Sequence, residues 1–227
     1  MRPLAPFDMV PVFSYLWLRG KCRDCKATVP IRILLVEAVT GALFVAALSQ
    51  YGVGLGFIIV SACLSLLVLV TLIDLEHQLI LNSMVIPSVV LLLVLGPFWN
   101  EIEIERGFLG DETIVASLAN TYLSGLGAFL AFLLLAMISP GGMGGGDVKF
   151  AAVLGLMVGF PGILLAIWVS AVGGGLIAIF LVLTGKKGRK DVIPFGPFMA
   201  LGAAVVLIAG PDLINLYTDL VDRISGT

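Results

Sequence analysis

Apolar runs separated by short polar, glycine- or proline-bearing breaks organise nearly the whole chain. They occupy residues 33–50, 55–73, 79–98, 114–138, 148–160, 163–183 and 197–218. Most approach the roughly 20 residues that an α-helix needs to cross a bilayer. Each is read as a helix, because in lipid only helices and closed barrels satisfy their own backbone N–H and C=O groups. The fifth run is short and parted from the sixth only at Pro161-Gly162, so the pattern predicts six or seven transmembrane helices. The expected fold class is all-α, a polytopic helical membrane protein. Residues 1–32 read as a polar entry segment and residues 33–227 as one membrane domain, without a sequence repeat. Gly125-x-Gly127, Gly173-Gly174-Gly175 and Gly202-Ala203-Ala204 supply small residues at which helices in lipid approach closely. Pro87, Pro161 and Pro197 are expected to kink or cap helices, and the two prolines of Ile193-Pro194-Phe195-Gly196-Pro197 predict a rigid entry to the last run.

Composition strengthens this picture. The chain of 227 residues is 59% hydrophobic and 12% charged, with a mean hydropathy of +1.12, whereas about a quarter of the residues in a soluble domain carry charge. Residues 1–32 lack the apolar core of a secretory signal, so the N-terminus is expected to remain in the cytoplasm. Basic residues agree: Arg2, Arg19, Lys21, Arg23, Lys26 and Arg32 precede the first run, and Lys186, Lys187, Arg189 and Lys190 follow the sixth. The positive-inside rule places both groups in the cytoplasm. Seven alternating crossings put Glu101, Glu103, Glu105, Arg106, Asp111 and Glu112 outside, and the turns at Asp74 and Asp147 inside. The net charge of −2 gives no footprint for nucleic acid, and the basic clusters suit anionic lipid. Cys22 and Cys25 form one C-x-x-C unit, while Cys63 lies within a run as a packing residue.

The candidate chemistry lies in two carboxylates. An ionised carboxylate near hydrocarbon costs roughly 2.5 to 3.5 kcal/mol at a helix centre, so such residues mark cavities, relays or catalytic centres. Asp74 closes the second apolar run, where the helix dipole disfavours negative charge, so capping does not account for it. Asp147 follows Gly141-Gly142-Met143-Gly144-Gly145-Gly146, and on its own reads equally as a helix N-cap. The glycines strip side chains from the approach to Asp147, as an active-site loop formed by Gly144, Gly145 and Gly146 would require. A phosphate loop is excluded because Asp147 stands where that motif needs lysine. Two carboxylates held close share a proton, so one can activate water while the other polarises a peptide carbonyl. Such hydrolysis requires no cofactor. The alternative reading is a proton-coupled membrane transporter using the same aspartates, although transporter sites are expected near the midplane and not at one interface.

With these residues in view, the chain resembles the type IV prepilin peptidases, membrane aspartyl proteases of the G-x-G-D class. The resemblance is carried in order by Phe13-Ser14-Tyr15-Leu16, Leu18-Arg19-Gly20-Lys21-Cys22-Arg23-Asp24-Cys25, Val36-Glu37, Ile73-Asp74-Leu75-Glu76-His77-Gln78-Leu79-Ile80, Gly142-Met143-Gly144-Gly145-Gly146-Asp147-Val148-Lys149 and Ile193-Pro194-Phe195-Gly196-Pro197. It implies catalysis by Asp74 and Asp147, and removal of a basic leader from type IV prepilins or type II secretion pseudopilins. The implied location is the bacterial inner membrane, multi-pass, with the active site facing the cytoplasm. It also implies, for bifunctional members, N-methylation of the new terminus from S-adenosylmethionine, with Gly20 and Lys21 at positions linked to methyl transfer. Such members usually begin with a further span and carry two C-x-x-C pairs, which could hold zinc through four thiolates. The single pair here, Cys22 and Cys25, is half a tetrahedral metal site, so residues 1–32 are read as a partial methyltransferase-like region. His77 is read as an interfacial polar residue, Glu37 as the partner of a cytoplasmic lysine, and Trp17, Trp99 and Trp168 as interfacial anchors.

Overall fold

A computed structural model describes residue 7 and residues 10–99, 113–139, 143–185 and 193–225, with only the backbone described at 97, 211 and 214–225. The acidic stretch from Glu101 to Glu112, the basic stretch from Lys186 to Lys190, Gly141 and Gly142 lie outside the described residues. Among the described residues eight α-helices follow one another: α1 Phe13–Trp17, α2 Ile31–Tyr51, α3 Leu55–His77, α4 Asn82–Leu95, α5 Ile114–Ile138, α6 Gly145–Val158, α7 Gly162–Leu183 and α8 Gly196–Ser225. All seven apolar runs become helices, and the described residues contain no β-strand beyond an isolated bridge between Lys21 and Thr28. Four helices, α2, α3, α5 and α7, are long and apolar enough to cross a membrane; α4 and Gly196–Gly210 of α8 are shorter apolar helices. The chain is a polytopic helical membrane protein.

A short helix lies at the centre of the membrane domain. α6 has 14 residues, nine of them buried, and α4, α5, α7 and α8 pack around it. Its closest neighbour is α5: a Cβ on Gly155 would overlap the carbonyl of Ser124, so the two backbones touch where both helices carry small residues. On the other side α8 joins α6 to α3 and α7, and α2 lies outermost against α3 and α8. Apart from Ala47, α2 has no buried residue, and its apolar side chains face outward as lipid-facing groups do. Cys63 is buried in α3 as a packing residue.

The uncertain boundary between the fifth and sixth runs is a real break. α6 ends at Gly159, whose φ of +65° suits glycine, and α7 starts after Pro161. The freed backbone at Phe160 is taken up by Asn120 of α5, which accepts its N–H at 2.7 Å and donates to its carbonyl at 3.1 Å. Ser124 Oγ donates to Asn120 Oδ1 at 3.0 Å, completing a buried polar clamp. Nearby, Gly96–Phe98 forms a 3-10 turn after α4, and Ser117 Oγ donates to the Gly96 carbonyl at 2.8 Å. That turn folds Trp99 fully into the core, which corrects its reading as an interfacial anchor; Trp17 and Trp168 are exposed.

Candidate active site

Asp74 lies in the last turn of α3, which runs past the end of its apolar run as far as His77. Its own carbonyl accepts the N–H of Gln78 at 2.9 Å, and Gln78 stops the helix in a left-handed conformation. The side chain is 5% exposed. Its Oδ2 accepts one hydrogen bond, at 3.0 Å, from the backbone N–H of Gly196, the first residue of α8.

Asp147 occupies a different helix position from the expected N-cap. Gly144 is the N-cap, Gly145 and Gly146 make the first turn of α6, and Asp147 is the third helical residue. From there its Oδ2 reaches back to the Gly144 N–H at 3.3 Å, satisfying a donor the helix start leaves free and placing negative charge at the favourable end of the dipole. The glycines are therefore only partly a loop. A Cβ on Gly146 would come within 3.0 Å of Ile80 Cβ, whereas one on Gly145 would meet nothing within 4 Å. None of the three has a positive φ, so absence of side-chain volume is what distinguishes them.

These contacts gather the separated motifs into one corner. Ile80, six residues after Asp74, packs on Gly146; Lys149 Nζ donates to Asn82 Oδ1 at 3.0 Å; Gly196 binds Asp74. The two carboxylates lie within electrostatic reach of each other. Asp74 is buried, and Asp147 is half-buried beside the exposed Gly144 and Gly145. The residues that reading the sequence left without a role here are Ile80, Asn82 and Gly196. Their signal was adjacency to the motif aspartates, or membership of the proline-bearing motif, but not their partners.

The other candidate residues lie apart. Glu76 pairs with Arg32 of α2, and exposed His77 faces Glu76 at 3.8 Å instead of turning to Asp74. Glu37 Oε2 accepts the backbone N–H of Val12 at 2.9 Å, which docks the entry segment on α2; no lysine pairs with it among the described residues. Gly20, at φ +69°, sits under the ring of Tyr15, and Tyr15 Oη donates to the Val29 carbonyl at 3.1 Å. Lys21 bridges to Thr28 at the neck of a small loop carrying Cys22 and Cys25. Backbone N–H groups of Cys25 and then Asp24 bond to the Cys22 sulfur and hold its thiol below the ordinary range.

That loop favours thiolate at Cys22. Among the described residues no group of three or more His, Cys, Asp or Glu side chains comes together, and two thiolates supply half of a tetrahedral set. Gly20 is in the left-handed region, and a side chain there would meet the Tyr15 hydroxyl at 2.9 Å and its ring at 3.0 Å.

The sequence model of the type IV leader peptidase family matches residues 61–179, a stretch that contains both aspartates. The chain belongs to the type IV leader peptidase family. A second model, the bacterial peptidase A24 N-terminal domain, matches residues 1–51. Similar curated proteins are named prepilin leader peptidase/N-methyltransferase. The one from Bacillus subtilis is 31% identical over 95% of this chain and 82% of its own length. That from Aeromonas hydrophila is 32% identical over 95% of this chain and 71% of its own. A Neisseria gonorrhoeae relative is 33% identical over 91% and 68%. No solved structure matches. The transporter reading finds no support in these matches.

Proposed function

We propose that the chain is a membrane aspartyl endopeptidase that removes the leader from type IV prepilins or type II secretion pseudopilins, with Asp74 and Asp147 as its catalytic pair. The observation that carries this reading is the meeting of Asp74, Asp147 and the Gly196 motif at one corner of the helical bundle, within a family of leader peptidases. The corner provides what peptide hydrolysis needs. One carboxylate, ionised, takes a proton from water as the oxygen attacks the scissile carbonyl; the other, protonated, hydrogen-bonds that carbonyl and then gives its proton to the departing amine. This mechanism needs one proton shared by the pair and not assigned to a chosen member. Among the described residues nothing lies within 4 Å of a side chain placed at Gly145, the flank along which an extended peptide would bring its carbonyl between the carboxylates.

A substrate anchored by its own apolar helix presents the leader junction at a membrane face. Residues 19–32 carry five Lys or Arg residues on the side of α2 that precedes its first turn, which supports a cytoplasmic orientation of the dyad in a bacterial inner membrane. The names of the relatives also support a second step, methylation of the new N-terminal amine, read onto the entry segment with Gly20 and Lys21. S-adenosylmethionine would supply the methyl group; no step is assigned to a particular side chain of that segment.

The test is mass spectrometry of a purified prepilin incubated with the full chain in detergent, with S-adenosylmethionine present. Loss of the leader mass is expected, followed by gain of one methyl on the shortened product. Unprocessed prepilin, or cleavage that persists after Asp74→Ala and after Asp147→Ala, would reject the dyad. Cleavage without methylation would restrict the protein to its first activity.

A further inference from the structure

We infer that Gly196 is a positioning residue for Asp74, and that the start of α8 sets the geometry of the dyad through a single backbone hydrogen bond. The inference rests on the peptidase reading above. A helix start normally leaves several N–H groups without internal partners. In α8 the number is reduced. Pro197, the second residue, has no N–H, and the N–H groups of Phe198 and Met199 both turn to the Phe195 carbonyl at 3.1 Å. The Gly196 N–H remains as the first-turn donor directed outside the helix, and it meets Asp74 Oδ2 at 3.0 Å across 122 residues of sequence.

Steric fit restricts the same position. A Cβ on Gly196 would come within 2.5 Å of Asp74 Oδ2 and 3.1 Å of its Cγ, so any other residue displaces the carboxylate or α8. The entry of α8 is itself held in place: the Phe195 ring packs at 6.5 Å from both Phe132 of α5 and Phe198, and Pro194 and Pro197 restrict the backbone on either side of the pair. Asp74 thus has its backbone fixed by the end of α3 and its carboxylate fixed by α8.

The decisive variant replaces Gly196 by glycolic acid, introduced by nonsense suppression, which exchanges the amide N–H for an ester oxygen and adds no side chain. With a prepilin substrate, kcat is expected to fall about 10- to 100-fold while KM stays within about twofold, the size of effect that loss of one hydrogen bond to a charged group produces. The kcat–pH profile changes shape, because the donor acts on a titrating member of the dyad. Gly196→Ala falls at least as far. Gly173→Ala in α7, where a Cβ meets nothing within 4 Å, keeps wild-type kinetics. An ester variant with wild-type kcat and pH profile overturns the proposal, as does a loss of activity that only tracks loss of folded protein in thermal unfolding. If the wild-type chain leaves prepilin intact, the peptidase reading itself fails; if it cleaves in an Asp74-dependent way while the ester is unimpaired, only the role of Gly196 fails.

Discussion

Asn120 and Asp74 are both polar side chains buried on apolar helices, 0% and 5% exposed, but their surroundings differ in kind. They sit toward opposite ends of α6: Asn120 holds Phe160 just beyond its C-terminus, and Asp74 lies with Asp147 at its N-terminus, about 20 Å away along 14 helical residues. Asn120 uses its amide on both sides, accepting from Phe160 and Ser124 and donating to Phe160. Asp74 could accept about four hydrogen bonds when ionised, and among the described residues it has one. Asp147 also has one, from Gly144. The difference separates a polar group that closes a break in the backbone from a pair that the proposed mechanism needs available for chemistry. An amide bonded through both its oxygen and its nitrogen stabilises; under that proposal, carboxylates with few protein partners are left to meet a substrate.

Substitution should break that contrast first at the dyad. Asp74→Asn and Asp147→Asn preserve shape and remove the proton exchange, so leader cleavage is expected to fall about 10²- to 10⁴-fold in a gel-shift assay, with the thermal midpoint nearly unchanged. A stability loss as large as the activity loss would erase the distinction between the two ends. At the other end, Asn120→Ala removes the side chain that bonds both the N–H and the carbonyl of Phe160. It should cost about 1–3 kcal/mol in denaturant unfolding, while kcat of the folded fraction stays at the wild-type value.

A smaller change sharpens the role of the open flank. Gly145→Ala meets no atom within 4 Å and improves the helix by about 0.5–1 kcal/mol, yet cleavage is expected to drop roughly tenfold because the methyl narrows the peptide's approach. Full activity in a stabilised Gly145→Ala protein would show that the empty side at Gly145 has no part in binding. The least effect is expected from Glu76→Gln. It removes a partly exposed pair with Arg32, worth at most about 1 kcal/mol, and leaves cleavage kinetics unaltered despite lying two residues from Asp74.

Much of the helical pattern was legible in the chain, and its errors have physical causes. α6 begins at Gly145 and not at 148, because the glycines that suggested a loop enter the helix once Asp147 reaches back to the Gly144 N–H. α3 continues to His77 because Gln78, not the end of the apolar run, stops it. Trp99 misled because an aromatic residue at the end of an apolar run is an anchor or a core residue according to how the next turn folds. Of the candidate site, Asp74 and Asp147 could be singled out from the cost of charge beside hydrocarbon and from ordered motifs. Their single backbone donors could not.

The sequence by itself determined that the chain is helical and membrane-embedded, since apolar runs of this length must satisfy their backbone internally in lipid. It also determined which carboxylates were anomalous and which family carries that pattern. Tertiary structure alone decided that Gly196 meets Asp74, that Gly146 leaves room for Ile80, and that Asn120 repairs the break at Phe160. Each is a contact between segments remote in sequence, set by how helices of small residues pack around α6. No periodicity within one helix encodes which neighbour its exposed N–H or missing side chain will face.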